Sequence, residues 1–588
     1  MKIRCKDKKV LLKAALGEIN SDLAITNAKI VNMFNGNIDH GTVYVKDGFI
    51  AHIELNDEET IKADEVVDAK GMYLIPGLID SHEHIESSMM VPRNFAKAVI
   101  PWGTTTVITD PHEIGNVWGV EGVKYMHDDA DDLPMRQCID IPSCVPAVPG
   151  LENAGADFLA KEIEELTKLP RVLGLAEVMD FLAVIHGEDR MMDILDVAEK
   201  KGLYLQGHAP FLSGRMLSAY LCGGPNTCHE SRDTNEAYEK YRNGMFLDMR
   251  DSSMCKNIPA VWDAVKDSRY LDHLCLCTDD RESEDILVHG HMNDVVRIAI
   301  QNGMNPIDAI RSATYNTARE VGLKNLGAIA PGYAADMILL NDLEEMTPSV
   351  VFYGGQKVAE NGKLCVEIKD HSFELERRNS VSIKPLTVDD FTIKAPIENG
   401  KVKANIMEFE DPINSLSDVA SVELDVVDGK IVLNDPDLKF VAVVNRYQNN
   451  DNIAVHVVRG FGTTHGALAS TVSHDSHNLT IVYDYAENAL MAANELKRVG
   501  GGMCAVEDGK IIHTLELPVA GLLSLKPAEE LAKDANLMKQ ANRQLGLTQL
   551  ENPLLRIVTL ALPVVPNAKM SDLGLVDVNN KKLIPLFD

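Results

Sequence analysis

Leu74-Ile75-Pro76-Gly77-Leu78-Ile79-Asp80-Ser81-His82-Glu83-His84 is the stretch on which the reading of this chain turns. It is a short apolar run ending in two histidines one residue apart. In a strand, residues i and i+2 point to the same face, so His82 and His84 aim at one place. Two convergent imidazoles at the carboxyl end of a buried strand suit a divalent metal. A lone His-x-His is equally well a strand cap beside a solvated side chain, so the surrounding sequence has to decide.

Downstream, residues 76–326 alternate apolar strands with helical patterns such as Asp189 to Lys200 and Pro259 to Lys266, which predicts a parallel sheet. Eight strands can be counted. The first ends at His84, and the others span 104–109, 137–141, 172–178, 203–208, 226–229, 245–250 and 274–279. That number in a segment of this size matches a (β/α)8 TIM barrel. Upstream, a helix is expected over 8–20, followed by short strands and an Asp47-Gly48 hairpin turn. Comparable strands follow the Gly327-to-Asp336 segment, at Met337-Ile338-Leu339-Leu340 and Val350-Val351-Phe352-Tyr353. Residues 1–75 and 327–380 are therefore expected to form one small β-sandwich into which the barrel is inserted. Residues 381–588 read as a third, α+β domain, with strands near 439–444, 453–458 and 479–483 and a helix over 488–498.

The 588 residues exceed what one core organises. A net charge of −31 argues against a phosphate-backbone partner, so a nucleic-acid-related substrate would be a free base rather than a polymer. There are 10 cysteines and no Cys-x-x-Cys, which fits a reducing compartment. No membrane span or signal peptide is expected, and the expected location is the cytoplasm.

Barrel active sites sit at the carboxyl ends of the strands. Those ends carry His82 and His84 (first strand), Glu177 (fourth), His208 (fifth), His229 (sixth) and Asp279 (eighth). All six residue types are ligands for a divalent transition ion. Each alone could be a helix cap or a satisfied core side chain, but six at one end of one barrel are hard to explain that way. His112 and Glu113 follow the second strand at the same end and are candidate substrate contacts, or a hydrogen-bonded pair that fixes a loop. Asp280 and Arg281 are further candidate substrate contacts. His474 and His477 lie in a polar loop of the third domain that could close over the barrel mouth or cap a turn.

This arrangement resembles the amidohydrolase superfamily. Its members place a His-x-His on strand one, Lys or Glu on strand four, histidines on strands five and six, and Asp on strand eight. Within it the words Asp80-Ser81-His82-Glu83-His84-Ile85-Glu86-Ser87-Ser88, Thr109-Asp110-Pro111-His112-Glu113, Gly174-Leu175-Ala176-Glu177-Val178, Gly207-His208-Ala209-Pro210 and Ser473-His474-Asp475-Ser476-His477-Asn478 are similar to the metal-dependent adenine deaminase family. Glu177 stands where dihydroorotase- and hydantoinase-like relatives carry a carbamylated lysine.

The resemblance implies adenine as the small-molecule substrate, hydrolysed to hypoxanthine and ammonia in purine salvage. It implies two divalent ions, Mn(2+) or Fe(2+), with Zn(2+) compatible. Glu177 would bridge them, a metal-activated hydroxide would attack C6, and Asp279 would shuttle the proton. It also implies a homodimer or larger homo-oligomer. The alternatives are another amidohydrolase, such as a cyclic amidase or an amino-sugar deacetylase, or a non-catalytic scaffold, which would be expected to have lost ligands. His84-Ile85-Glu86 fits half of the zinc cytidine-deaminase pattern, but no Pro-Cys-x-x-Cys follows.

Overall fold

The computed structural model describes residues 3–55, 61–411 and 416–587. In it the opening stretch divides between two sheets. Tyr73–Pro76 pairs antiparallel with Met337–Leu340, Ile75 opposite Ile338. Leu78–Glu83 begins a parallel sheet by pairing with Thr104–Thr109. The change of sheet falls at Gly77, where a Cβ would lie 2.3 Å from Thr105 Oγ1. Only a residue without a side chain lets the two strands approach there.

Five parallel strands run in the order Tyr204–Gly207, Val172–Val178, Arg136–Ile141, Thr104–Thr109 and Leu78–Glu83. Three more, Thr227–Cys228, Phe246–Arg250 and Leu274–Cys277, form a second parallel sheet. Backbone hydrogen bonds join the two sheets at both margins. Asp279 N–H donates to His82 O at 3.0 Å and His84 N–H to Asp279 O at 3.1 Å, while Asn226 N–H reaches Leu205 O at 3.4 Å. All eight expected strands are present; the first begins at Leu78 because the stretch from Leu74 divides at Gly77, and the other ends fall within two residues of the sequence reading. Every residue of Val172–Val178 and Leu274–Cys277 is buried, as parallel strands covered on both faces require.

Helices cover the outside. Asp189–Lys201 buries Met191, Ile194, Leu195 and Ala198, an i, i+3, i+4, i+7 stripe. Its larger apolar side chains are worth roughly 1.5–3 kcal/mol each. Gly202, at φ 71°, ends the helix in the left-handed conformation that glycine adopts without strain.

The strands flanking this α/β region differ from the expected two-layer sandwich in how they are joined. Nine described strands, five between Ser21 and Pro76 and four between Met337 and Leu364, make a single sheet. The reason is Tyr73–Pro76, which pairs with Ser21–Val31 on one side and Met337–Leu340 on the other. The far strand, Phe49–Glu54, returns to the start of the second half, where Ile50 N–H donates to Tyr333 O at 2.9 Å. Ile25, Val43, Ile50, Leu74, Met337 and Phe352 share one apolar cluster, so the two halves of sequence have a common core. The expected N-terminal helix is shorter than predicted, Lys8–Ala15, capped by the Asp7 carboxylate.

Beyond residue 400 lies another nine-stranded sheet, running from Lys430–Val432 at one edge to Lys510–Glu516 at the other. The helix Ala486–Val499 packs on it through Ala489, Ala492, Ala493 and Leu496. A second helix, Ala528–Gln544, was not singled out in the sequence. Between the strands Ala467–Ser470 and Leu479–Tyr483 the chain leaves the sheet toward the parallel strands, and Asn478 Nδ2 donates to Asn153 O at 2.8 Å. No described helix is long and apolar enough to cross a membrane.

Candidate metal centre

The six donors read from the strand ends meet in one buried place. The two oxygens of Glu177 face two different histidine pairs. Oε1 lies 3.9 Å from His82 Nε2 and 3.4 Å from His84 Nε2. Oε2 lies 2.5 Å from His208 Nδ1 and 3.3 Å from His229 Nε2. Asp279 Oδ1 completes the first group, 3.4 Å from His82 Nε2 and 3.3 Å from His84 Nε2.

Apart from the His208 contact, these spacings exceed the usual hydrogen-bond length of about 2.9 Å. They approach the edge of about 3.4 Å in a tetrahedron of ligands around a cation at about 2.1 Å. His82 Nε2, which faces both carboxylates, is buried without a hydrogen-bond partner, which is costly unless something occupies the space between the donors. His84 Nδ1 lies 3.0 Å from Asp110 O. Donating its proton there leaves the Nε2 lone pair aimed at the two carboxylates. The residues present therefore fit divalent ions, and His82, His84 and Asp279, and separately His82, Glu177 and His229, each form a group that could hold one.

The electrostatics agree. Burial alone would raise the Glu177 carboxyl, but the imidazoles around it, His208 foremost, hold it well below the usual range. Burial would likewise raise Asp279, and Arg250, His82 and His84 outweigh it and keep the group ionised. Burial lowers His229, while Glu177 pushes it up to about 9.

Asp279 sits just past its strand at φ 57°, a left-handed conformation that Asp tolerates better than most residues. Thr278 Oγ1 donates to Asp80 Oδ2 at 2.5 Å and its N–H to Asp80 Oδ1 at 3.1 Å, bracing the turn against the first strand.

Of the remaining expected residues, His112 and Glu113 open the short helix His112–Trp118 and are buried at the same mouth. His474 Nδ1 and His477 Nε2 each lie 3.8 Å from a Glu113 oxygen, so the loop lies against the helix that follows the second parallel strand. Asp280 accepts from Ser87 Oγ at 2.5 Å and lines a mostly apolar cavity with Met89, Met254, Val472 and Leu554. Arg281 is not brought there: its guanidinium donates to Asp294 and to Asp251 O.

The sequence reading missed Arg250 and Glu230. Arg250 donates to Asp279 Oδ2, and its Nη2 is 2.8 Å from Glu230 Oε1. The available signal was a basic residue ending the seventh strand, and a carboxylate beside His229. Asp475 was also missed, although it lies between the two loop histidines.

The amidohydrolase family profile matches residues 73–358, which contain all six donors, and the profile of the adenine deaminase C-terminal domain matches residues 415–582. The class defined by these donors at these strand ends is thus the amidohydrolases. Adenine deaminase of Moorella thermoacetica is 39% identical over 583 residues, covering 98% of this chain and 97% of that one. Adenine deaminase 2 of Carboxydothermus hydrogenoformans is 38% identical over 586 residues, 99% of this chain and 100% of its own. The chain belongs to the adenine deaminase family. Among solved structures, a beta-aspartyl dipeptidase from Fervidobacterium islandicum AW-1 aligns at TM-score 0.45 and 17% identity, over 60% of this chain and 100% of that one.

Proposed function

We propose that this chain hydrolyses adenine to hypoxanthine and ammonia. The observation that carries the reading is Glu177, whose two oxygens face two separate histidine pairs at a barrel mouth covered by the family's C-terminal loop. His82, His84 and Asp279 would hold one divalent ion, His208 and His229 a second, and Glu177 would stand between them. The donors are nitrogen and oxygen without thiolate, which suits manganese or ferrous iron and tolerates zinc. Divalent ions held by these residues would supply the nucleophile for C6, since a bound ion can lower the pKa of water from about 15.7 to about 7.

The protein's own groups do the rest. Asp279 takes up and passes on the proton, and Arg250, donating to its Oδ2, keeps the carboxylate oriented. Asp280, at the edge of the cavity and braced by the Ser87 hydroxyl, would accept a hydrogen bond from a purine edge. Met89, Met254, Val472 and Leu554 give the flat heterocycle an apolar wall and keep bulk water out. We further propose that the eight parallel strands form a closed (β/α)8 barrel over residues 76–326. In this division residues 1–75 and 327–380 form the small β-domain around it, and 381–588 the C-terminal domain.

Ammonia release from adenine, compared with ring opening of hydantoin and dihydroorotate, tests the assignment. Turnover of adenine alone is expected. Turnover of a cyclic amide without adenine deamination would overturn it in favour of another amidohydrolase.

A further inference from the structure

Beside the six-donor centre stands a second group of buried side chains to which the deamination reading gives no task. His112 and Glu113 come from the helix after the second parallel strand, His474 and Asp475 from the C-terminal loop. All four are less than a tenth exposed.

Their polar atoms face one another across a gap. His474 Nδ1 is 3.8 Å from Glu113 Oε1 and 3.6 Å from Asp475 Oδ1, and His112 Nε2 is 3.7 Å from Asp475 Oδ1. These lengths are too long for hydrogen bonds and fall within the 3.3–3.9 Å range of the longer contacts around Glu177 and Asp279. One donor atom each from His112, Glu113 and His474 lie within 4.8 Å of one another. Asp475 Oδ2 is buried with no hydrogen-bond partner.

The tautomers select the donors. His112 Nδ1 lies 3.1 Å from Asp110 Oδ2 and donates its proton there. That leaves the Nε2 lone pair facing Asp475, in the carboxylate–histidine arrangement that orients metal-binding imidazoles. His477 is the opposite case. Its Nδ1 accepts from Ser473 N–H at 3.1 Å, so the hydrogen sits on Nε2, directed at Glu113. With a proton on the nitrogen that faces Glu113, His477 offers that carboxylate no lone pair to share and is not a ligand. What remains is a set of two nitrogens and two carboxylates, half from each side of the interface.

We propose that His112, Glu113, His474 and Asp475 form a third divalent-cation site, suited to zinc or another first-row dication, that fastens the 473–478 loop to the barrel mouth. It adjoins the six-donor centre through His112, whose Nδ1 lies 3.8 Å from Glu177 Oε1 while its Nε2 faces Asp475, and it does not depend on which substrate that centre takes. It replaces the expectation that these side chains read the substrate.

The test is a metal count on the full chain, stripped with a chelator, titrated with Zn(2+) and freed of excess ion. Three equivalents per chain are expected in the natural protein, and two in Asp475→Asn and His474→Asn. A crystal of the zinc-titrated natural protein, measured at the zinc edge, gives a readout that needs no variant to fold. A third anomalous peak between Glu113 and His474 is expected. Saturation at two equivalents, a third zinc elsewhere on the surface, or three equivalents retained by Asp475→Asn would each overturn the proposal.

Discussion

Arg250 holds the carboxylate oxygen of Asp279 that faces away from the histidines. Its Nη1 donates to Asp279 Oδ2, while Asp279 Oδ1 looks toward His82 and His84 at 3.4 and 3.3 Å. The same guanidinium reaches Glu230. A cation from the seventh strand therefore offsets two buried carboxylates and fixes which oxygen of Asp279 is available. Removing one partner of a buried pair costs about 3–5 kcal/mol. Arg250→Gln is expected to lose stability of that order in urea denaturation and to bind metal more weakly, with Arg250→Lys recovering part of both. A glutamine variant as stable as the natural protein would show that the pair carries no weight.

Glu177→Gln is expected to keep the fold and lose deamination. Altering groups that only orient ligands typically costs 10–100-fold, so replacing the carboxylate between the two histidine pairs should cost more than about 100-fold. Circular dichroism, metal content and ammonia release are read together. Full metal occupancy with retained turnover would remove Glu177 from the centre.

Gly207 sets the approach of the strands that carry His208 and His229. A Cβ there would meet Thr227 O at 2.3 Å, and that atom is backbone, which cannot swing aside. Gly207→Ala should push the fifth and sixth strands apart at a cost of roughly 1–3 kcal/mol and separate the two imidazoles. A lower melting temperature with metal loss is expected. Unchanged metal content would mean that the strands can part without moving the histidines.

His456, in the strand Ile453–Arg459, gives the C-terminal sheet a pH dependence. Burial lowers its pKa from 6.5 to about 4. Between those values the unfolded chain binds more protons than the folded one, so stability is full above pH 6.5 and falls as the pH drops toward 4. The whole effect is worth roughly 3 kcal/mol. The difference between the natural protein and His456→Gln, followed by denaturation from pH 7 to 4, should narrow by that order as acid is added. A constant difference across the window would show that His456 protonates freely in the folded state.

The parallel strands were readable because strands buried on both faces are continuous apolar runs, and their carboxyl ends announce themselves where a His, Glu or Asp interrupts the run. Val172–Val178, ending beside Glu177, is the clearest instance. The single nine-stranded sheet was not readable, because pairing between Tyr73–Pro76 and Met337–Leu340 joins segments more than 250 residues apart and leaves no local pattern. Ala528–Gln544 escaped notice because four of its six buried positions are alanine or asparagine, which blunts the apolar stripe. Arg250 was hidden for another reason: charge pairing across strand ends depends on barrel geometry, which spacing along the chain does not encode.

The most direct test of the account is ammonia release from adenine by the protein stripped of metal and then resupplied with manganese, iron or zinc in turn. No release without metal, and recovery that grows until two equivalents occupy the six-donor centre, is the predicted result. Undiminished deamination by protein shown to be free of metal would contradict it.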